Sequence, residues 1–430
     1  MTPVSPWDGA PLAPDPEALP DPGTLVPPGD PAALDRLAAA CAATSARAAG
    51  IALLVREAGK TVADATAEID LLPRKIAVTR EALALTPPAT ADAGGAPAVG
   101  WRPRGLALAL GPFNFPLHLL HGLVVPALAT GNPVIAKVSE RTPGLAGWYR
   151  ARIHDAGLDA SVAVTATDAA GAAALLTHPR IATVALVGSR RSAAAVARAL
   201  ADRPEVATAF EMGGVNPALV CADADLSPAA TAIAEGAFRM AGQRCTATRQ
   251  CWVPRGRWRD LVDLLDRERE RWAPTGTPDG LLGPLISRAE RDRARDRLSG
   301  MPGDWERRGG GSWGHAGLDP ALLLAGATPW PDLDEELFAP ALAVHAYDDE
   351  DAAVRRLAAI PQRLAAAVWT GDRQRFCAIA ARLPYGQVYH ARGTAGARAD
   401  LPFGGCGASG NGRPAARSAA RIFADECVVW

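Results

Sequence analysis

The chain has 430 residues, more than one ordinary domain needs, and this length predicts two domains. Hydrophobic residues make up 49% and charged residues 21% of the chain, a balance typical of a globular protein with a sizeable core. The formal net charge of −1 gives no sign of a nucleic-acid or acidic-membrane partner, and we expect neither.

The cysteines and the apolar runs indicate the compartment. Seven cysteines show neither a C-x-x-C pair nor a zinc-type spacing, so we expect reduced thiols and a cytoplasmic protein. No N-terminal stretch has the make-up of a signal peptide, and no apolar run is long enough to predict a membrane span. Lysine is rare, occurring only as Lys60, Lys75 and Lys137, whereas arginine supplies nearly all the positive charge.

The first third of the chain begins without a helical or strand pattern. Residues 1–29 are rich in proline, glycine and aspartate, and they predict an extended arm that is disordered or laid over the surface. At Asp30-Pro31 an N-cap and a proline at the first helical position predict the start of a helix. Helical pattern continues to about Leu85, and a loop of small residues follows at 89–97.

From Leu106 onwards, short apolar runs alternate with helical ones. Strands apolar on both faces, separated by helices, predict a parallel sheet covered by helices, with a ligand at the carboxyl ends of the strands. A second such region runs from about Glu211 to Gly410, so we predict two α/β domains. The predicted strands are Leu106–Leu110, Pro133–Ala136, Val162–Thr165, Ala182–Val187 and Pro217–Val220, and the clearest predicted helix is Pro116–Thr130.

Three residues could share one reaction. Cys245 lies in a loop just after a helical run, although a single cysteine among seven is more often a buried small hydrophobic residue. Glu211 ends an apolar strand, where a carboxylate could act as general base for a thiol or a water. Asn114 follows the first strand and could either stabilise a turn or donate to an oxyanion together with the main-chain N–H of Cys245.

These residues lie in three of seven motif blocks found along the chain. In residue types and order the seven blocks resemble the aldehyde dehydrogenase superfamily, and the resemblance extends from Gly59 to about Val428. The C-terminal glycine-rich run 404–415 is most similar to the succinylglutamate semialdehyde dehydrogenase branch. The blocks are Gly111–Pro116, Gly131–Pro143, Val187–Ser189, Glu211–Pro217, Ala241–Thr246, Glu335–Pro340 and Pro402–Gly405.

The resemblance implies a two-domain fold, with a Rossmann-like parallel-sheet cofactor domain and an α/β catalytic domain. We place the NAD-binding domain at 30–88 and 106–209 and the catalytic domain at 210–410. Residues 89–105 and 411–430 are then expected to be oligomerisation segments, and we expect a homodimer.

The resemblance also implies the mechanism. Cys245 attacks an aldehyde, the oxyanion is held by Asn114 and the Cys245 N–H, and hydride passes to a nicotinamide. Glu211 then activates the water that hydrolyses the thioacyl enzyme to the carboxylic acid. Two alternatives remain: a CoA-acylating enzyme, in which a thiol releases the acyl group, and a catalytically silent relative used for binding or as a scaffold.

Four residues match the family's contacts to the two ends of the dinucleotide. Lys137 and Glu140 match the segment that meets the adenosine ribose, and Glu336 and Phe338 match the carboxylate and the aromatic residue at the nicotinamide ribose. Glu140 would bond both ribose hydroxyls and repel a 2′-phosphate, which favours NAD. The adjacent arginines at 190 and 191 leave NADP open as an alternative.

The phosphate-binding turn matches at Gly188 and Ser189, where the start of a helix favours an anion. Three residues depart from the family's motifs: Val138 stands for a proline, and Ala193 and Ala339 stand for glycines. An added Cβ at a glycine position would crowd the cofactor or shift the backbone.

Arg398 is the predicted substrate-binding residue. It lies in the loop before Pro402, where Tyr389-His390-Ala391 and Arg398 stand in place of the Asn, Trp and Ser types usual in the branch. An arginine there could bind a substrate carboxylate bidentately. An exposed arginine without function is the alternative, and the substrate could be a different polar semialdehyde. His118 and His121 form an H-x-x-H pattern, but without a third ligand we predict packing on a helix face and no metal.

Overall fold

The computed structural model describes residues 2–88 and 97–430, so the predicted segment at 89–105 lies partly outside the described residues. The helices are α1 (Ala33–Ala42), α2 (Thr44–Ala58), α3 (Val62–Ala82), α4 (His118–Ala129), α5 (Pro143–Asp155), α6 (Ala169–Leu176), α7 (Arg190–Ala199), α8 (Leu226–Phe238), α9 (Trp258–Arg271), α10 (Arg288–Ser299), α11 (Glu350–Ala358) and α12 (Arg373–Ala380).

The strands form two large sheets and several short ribbons. In chain order they are β1 (Ala98–Pro103), β2 (Leu106–Leu110), β3 (Val134–Lys137), β4 (Val162–Thr165), β5 (Ile181–Gly188), β6 (Ala207–Met212), β7 (Asn216–Val220), β8 (Thr248–Pro254), β9 (Glu306–Gly309), β10 (Ser312–Trp313), β11 (Gly317–Leu318), β12 (Ala321–Leu324), β13 (Ala341–Tyr347), β14 (Gln362–Arg363), β15 (Ala365–Trp369), β16 (Gln387–His390), β17 (Pro402–Phe403), β18 (Cys406–Gly407), β19 (Ala415–Ala416) and β20 (Ala424–Val429).

The first sheet is parallel, with the order β4-β3-β2-β5-β6. Alternate residues of a strand point to opposite faces, and in β2 both sets are apolar and buried. Ala107 and Ala109 pack in the cluster built by α1 to α5, whereas Leu106, Leu108 and Leu110 pack with residues of α6 and α7. Helices therefore cover both faces of the sheet, as its continuous apolar strands require.

The second sheet has the order β16-β15-β7-β8-β13-β12-β9, in which only β9 runs antiparallel. α8 and α9 contribute to the core cluster on one side, and α11 and α12 to the cluster on the other. These two helix-covered parallel sheets confirm the predicted α/β fold class. β1 and β20 pair outside both sheets as an antiparallel ribbon.

The N-terminal arm is laid over the surface, one of the two predicted states. Leu12 and Leu25 are buried, and the Trp7 indole N–H donates to the main-chain oxygen of Val55 at 3.0 Å. The Trp7 ring also lies 6.1 Å from that of Trp313, centroid to centroid. The arm therefore contacts both the helical layer of the first sheet and the hairpin β10–β11.

The predicted start of the first helix is two residues too early. Asp30 accepts from the main-chain N–H of Ala32, as a capping side chain does, and pairs with Arg36. Residues 31–32 form only a turn, however, and the regular helix α1 begins at Ala33, where no side chain caps it. No single described helix is both long and apolar enough to cross a membrane, and α1 with α2 meets that test only as a pair bent by 67°.

The predicted strands agree with β2 and β4 residue for residue and with β3, β5 and β7 within one residue at each end. Several of the predicted site residues lie at the carboxyl ends of β2, β3, β5 and β6 or in the loops that follow them. After β6 the chain turns directly into β7 of the second sheet. The candidate site therefore lies where the carboxyl edge of the first sheet meets the amino ends of β7 and β8.

Candidate active site

Cys245 lies in a tight loop between α8 and β8. The chain leaves α8 through Met240, Ala241 and Gly242, which all have left-handed backbone angles with φ of 55°, 53° and 66°. At Gly242 a Cβ would lie 2.2 Å from the main-chain oxygen of Ala339, so only glycine fits there. This close approach places the half-buried Cys245 beside the segment 336–340.

Asn216 holds the main chain of Cys245 and was not predicted from the sequence. Its side-chain amide donates to the main-chain oxygens of Cys245 at 2.8 Å and Ala247 at 2.9 Å, and its Oδ1 accepts from Ala365 N–H at 2.9 Å. Asn216 is fully buried at the start of β7. A polar residue that opens an otherwise apolar central strand was the available signal.

Glu211 lies next to the Cys245 thiol, at the end of β6. Burial raises the pKa of Glu211 to about 8, although contact with the Cys245 thiol lowers it in part. One carboxyl oxygen, Oε1, is buried and has no hydrogen-bond partner in the described part of the chain. An unsatisfied buried carboxyl oxygen beside a thiol suits a group that accepts a proton from substrate or water.

The surroundings of the Cys245 thiol favour its protonated form. Burial raises the pKa of Cys245 well above its usual range, and the Glu211 and Glu336 carboxyls raise it further. The adjacent Arg244 acts in the opposite direction. Because the thiolate is the nucleophilic form of a cysteine, Cys245 would have to lose its proton to act as a nucleophile, and the Glu211 carboxyl is the adjacent group that could take it.

Asn114 follows β2 and faces the Cys245 loop. Its Nδ2 donates to the main-chain oxygen of Gln243 at 2.8 Å, two residues before the cysteine. Nδ2 carries two hydrogens, so this bond orients the amide and leaves a second hydrogen to donate. The structure therefore brings Asn114, Glu211 and Cys245 together.

Arg249 is a second residue that the sequence reasoning missed. It lies buried in β8, and its guanidinium donates to the main-chain oxygens of Gly242 at 2.6 Å and Ala339 at 2.9 Å. The same guanidinium lies 3.4 Å from the Glu336 carboxylate. Arg249 stands between Thr248 and Gln250 at the polar start of β8, so no apolar run marked it in the sequence.

Glu336 and Phe338 lie on the segment that Arg249 ties to the cysteine loop. A Cβ at Gly213 would lie 1.7 Å from the Glu336 carboxylate, so the carboxylate rests against the bare backbone after β6. Burial raises the pKa of Glu336 to about 7, and the charge of Arg249 opposes that rise. The Phe338 ring meets the Phe113 ring edge to face at 5.7 Å.

The other predicted cofactor residues lie along the carboxyl edge of the first sheet. Lys137 ends β3, and its Nζ lies 2.6 Å from Glu140 Oε2. Gly188 ends β5, and Ser189 caps α7, where its hydroxyl oxygen accepts from the Ser192 N–H at 3.1 Å. A lysine, a carboxylate and a free helix start along one edge fit the ribose and phosphate groups of a dinucleotide.

The three departures from the family's motifs cause no backbone strain. Val138 and Ala339 are fully buried and Ala193 lies in the first turn of α7. The left-handed residue in the segment is Phe338, with φ of 55°, and not Ala339. The added Cβ atoms are therefore accommodated within the packing of the described chain.

Among the described residues, no hydrogen bond or ion pair joins Arg398 to Cys245, Glu211 or Asn114. Arg398 is exposed and binds its neighbour Asp400 with two hydrogen bonds, at 3.0 and 2.5 Å. His121 is buried with its Nδ1 2.9 Å from the Tyr149 hydroxyl. Among residues 2–88 and 97–430 no group of three histidine, cysteine or acidic residues could hold a metal ion.

Comparison with known proteins places this site in context. The model of the aldehyde dehydrogenase family matches residues 31–426. N-succinylglutamate 5-semialdehyde dehydrogenase of Novosphingobium aromaticivorans is 34% identical over 86% of this chain and 80% of the relative, and that of Chromobacterium violaceum is 36% identical over 86% and 78%. The structure is also similar to an indole-3-acetaldehyde dehydrogenase complexed with NAD⁺, with TM-score 0.89, 25% identity and coverage of 100% and 92%.

Proposed function

The chain belongs to the aldehyde dehydrogenase family, and we propose that it oxidises a carboxylate-bearing semialdehyde to the acid with NAD. This membership confirms the resemblance seen in the motif blocks, and the protein is accordingly an enzyme that oxidises an aldehyde. The observation that carries the proposal is the buried Glu211 carboxyl beside the Cys245 thiol.

In the proposed reaction, Cys245 Sγ adds to the aldehyde carbon while its proton passes to Glu211. The second hydrogen of the Asn114 amide and the Cys245 N–H would stabilise the oxyanion. When bound, NAD accepts the hydride that leaves the former aldehyde carbon. After Glu211 has released the first proton to solvent, its carboxylate takes a proton from the water that attacks the thioacyl carbon. That proton then passes to the departing Cys245 sulfur, so that the acid and the thiol are released.

Replacement of the nucleophile tests this assignment. We expect Cys245→Ala to abolish aldehyde-dependent NADH formation while NAD still raises the melting temperature. Cys251→Ala is the matched control, because Cys251 is a buried thiol six positions later in β8. Turnover by Cys245→Ala would refute the nucleophile.

Water is the proposed acyl acceptor because Glu211 can serve as its base. A CoA-acylating enzyme needs no such base. Product analysis with and without CoA distinguishes the two: we expect the free acid at the same rate in both, and acyl-CoA formed faster than acid would favour the alternative.

The dinucleotide would be held by Lys137, Glu140, Gly188 and Ser189 at its adenosine and phosphate end. Glu336 and Phe338 would hold the nicotinamide end. The cofactor domain would then comprise 30–88 and 106–209, and the catalytic domain 210–410. Thermal shift with NAD and with NADP tests the choice of dinucleotide, and we expect the larger shift with NAD.

The substrate class rests on two observations. The relatives named above are N-succinylglutamate 5-semialdehyde dehydrogenases, and arginines stand both beside the thiol, at Arg244, and in the loop before β17, at Arg398. A substrate carboxylate would replace the Asp400 carboxylate as the hydrogen-bonding partner of Arg398.

A panel of semialdehydes assayed for NADH production tests the class, with succinylglutamate, glutamate and succinate semialdehydes beside an uncharged aldehyde. For Arg398→Ala we expect a higher KM for the charged substrates alone. Arg255→Ala is the control, because Arg255 forms a similarly exposed bidentate pair with Asp348. If Arg398→Ala changes the KM for charged and uncharged substrates by the same factor, Arg398 does not bind the substrate carboxylate.

We also propose a cytoplasmic homodimer. All seven cysteines are free thiols, as a reducing compartment favours. In the β1–β20 ribbon, Val99 and Val428 face each other across the register and are 60% and 54% exposed, and Trp430 is 83% exposed. Sedimentation should show a monomer for Val99→Glu and a dimer for Val62→Glu, an exposed valine on α3.

A further inference from the structure

A buried ion pair joins Lys60, just after α2, to Glu68 on α3. Lys60 Nζ lies 2.9 Å from Glu68 Oε2, and the two side chains are 2% and 0% exposed. Taking two charges out of water costs several kcal/mol each, so such a pair persists only where further contacts compensate. Here the compensating contacts are made with two loops of the proposed active site, the one that carries Asn114 and the one that carries Cys245.

Glu68 binds the start of α4. Its Oε1 accepts from the main-chain N–H of Leu117 at 3.0 Å and of His118 at 2.9 Å. The first N–H groups of a helix have no partner within the helix, and the helix dipole stabilises a carboxylate there. Asn114 lies three residues before Leu117, so Glu68 fixes the turn that carries the Asn114 amide.

Lys60 contacts both loops directly. Its Nζ lies 4.1 Å from the centroid of the Phe115 ring, within the range of a cation–π interaction. The same ammonium donates to the Met240 sulfur at 3.8 Å, on the left-handed turn that leads to Cys245. Lys60, Asn114, Met240 and Gln243 line one small cavity between these loops.

We propose that Lys60 and Glu68 are positioning residues that set the Asn114 amide against the Cys245 main-chain N–H. Glu68 acts through the start of α4, and Lys60 acts through Phe115 and Met240. Donors to an oxyanion lose their effect when displaced, and a shift of about 1 Å can cost about 100-fold in rate. This inference rests on the proposed roles of Asn114 and Cys245.

A double-mutant cycle with Asn114 separates positioning from general stability. We expect Glu68→Gln to lower kcat by at least about tenfold in the wild-type background while the KM for NAD stays unchanged. In the Asn114→Ala background the same change should lower kcat by less than about twofold, because the donor that Glu68 positions is already gone. Equal fold-changes in the two backgrounds would overturn the proposal.

Asp15→Asn is the matched control. The Asp15 side chain is also nearly buried, accepts from the main-chain N–H of Ala166 at 3.0 Å, and pairs with Arg150 at 3.0 Å. It lies on the arm against the end of β4, and we expect its small effect on kcat to be equal in both backgrounds.

Glu68→Gln leaves Lys60 buried without its counter-charge, which can prevent folding. The double replacement Lys60→Met/Glu68→Gln removes both charges and retains side chains of similar size. For this variant we expect the same loss of kcat and the same dependence on Asn114, and unchanged kcat would overturn the proposal. Activity measured with Cys245→Ala tests the nucleophile separately, so failure of the two ideas can be distinguished.

Discussion

The side-chain amide of Asn216 donates a hydrogen bond to the main-chain oxygen of Cys245 across 2.8 Å, although the two residues are 29 positions apart in the chain. The bond connects the first residue of β7 to the loop that enters β8. Because Asn216 also bonds Ala247 and Ala365, one side chain of β7 holds the Cys245 loop to β7 and to the neighbouring strand β15. The position of the thiol is thus set by the sheet itself.

Replacing this amide should weaken catalysis beyond its effect on folding. We expect Asn216→Ala to lower kcat by at least about tenfold, because the Cys245 main chain is released from the sheet. Asn132→Ala is the control: Asn132 is also fully buried and bonds the backbone at Gly105, Ala127 and Phe423, away from the thiol. Both variants should lose stability in urea, but only Asn216→Ala should lose kcat in the folded protein.

The pH dependence of catalysis should follow Glu211. Its pKa is raised to about 8 by burial, and only the carboxylate form can accept a proton. We therefore expect kcat/KM to rise about tenfold per pH unit below 8 and to level off above it. Glu211→Gln should remove this rise, whereas Glu57→Gln should retain it, although burial raises the pKa of Glu57 to about 7. A rise that persists in Glu211→Gln would assign the titration to another group.

Lys75 should destabilise the fold at neutral pH. It lies buried on α3 against Gly122 of α4, and burial lowers its pKa from 10.5 to about 8. Because the folded state binds this proton more weakly than the unfolded chain does, the cost is complete below pH 8 and vanishes as the pH rises to 10.5.

We expect Lys75→Met to raise the free energy of unfolding by about 3 kcal/mol at pH 7 and by little at pH 10.5. Urea denaturation at the two pH values measures this difference. Arg74→Met on the exposed side of the same helix should change stability equally at both. A loss of stability at pH 7 in Lys75→Met would show that the ammonium has a stabilising partner.

Glu140 should determine the choice between dinucleotides. Its carboxylate is held by Lys137 at the end of β3 and half-exposed, where it can accept from ribose hydroxyls and repel a 2′-phosphate. We expect Glu140→Gln to raise kcat/KM with NADP and lower it with NAD. Arg190→Ala tests the opposing argument: a larger loss with NADP than with NAD would mean that this arginine binds the 2′-phosphate.

The strand ends were predicted well from the sequence where the local residue pattern alone determines them. β2 and β4 are short apolar runs bounded by glycine, proline or polar residues, so their ends can be read from the chain. The start of α1 is predicted two residues too early because Asp30 caps a turn at residues 31–32, and the regular helix follows that turn. The residue types of the motif blocks grouped Cys245, Glu211 and Asn114, which lie around one loop in the structure, and their catalytic roles stay predictions.

Asn216 and Arg249 could not be found in the same way. Their partners lie far away in the chain, since Asn216 bonds Ala365 and Arg249 bonds Ala339. Such contacts depend on which strands become neighbours, and no local pattern specifies that order. Asn216 opens the otherwise apolar strand β7, which is a trace that a buried hydrogen-bonding role can leave in a sequence, whereas Arg249 stands between two polar residues and leaves no such trace.

The three lysine side chains of the enzyme are almost inaccessible to solvent. The side chains of Lys60 and Lys137 are 2% and 12% exposed, and Lys75 is 8% exposed. An amine-reactive reagent would therefore find almost no lysine at the folded surface and would modify each one only when its surroundings open. The rate at which each lysine is labelled, measured on separate peptides, would then report how fast its surroundings open: Lys60 for the end of α2, Lys75 for α3 and Lys137 for the end of β3. No engineered probe is needed.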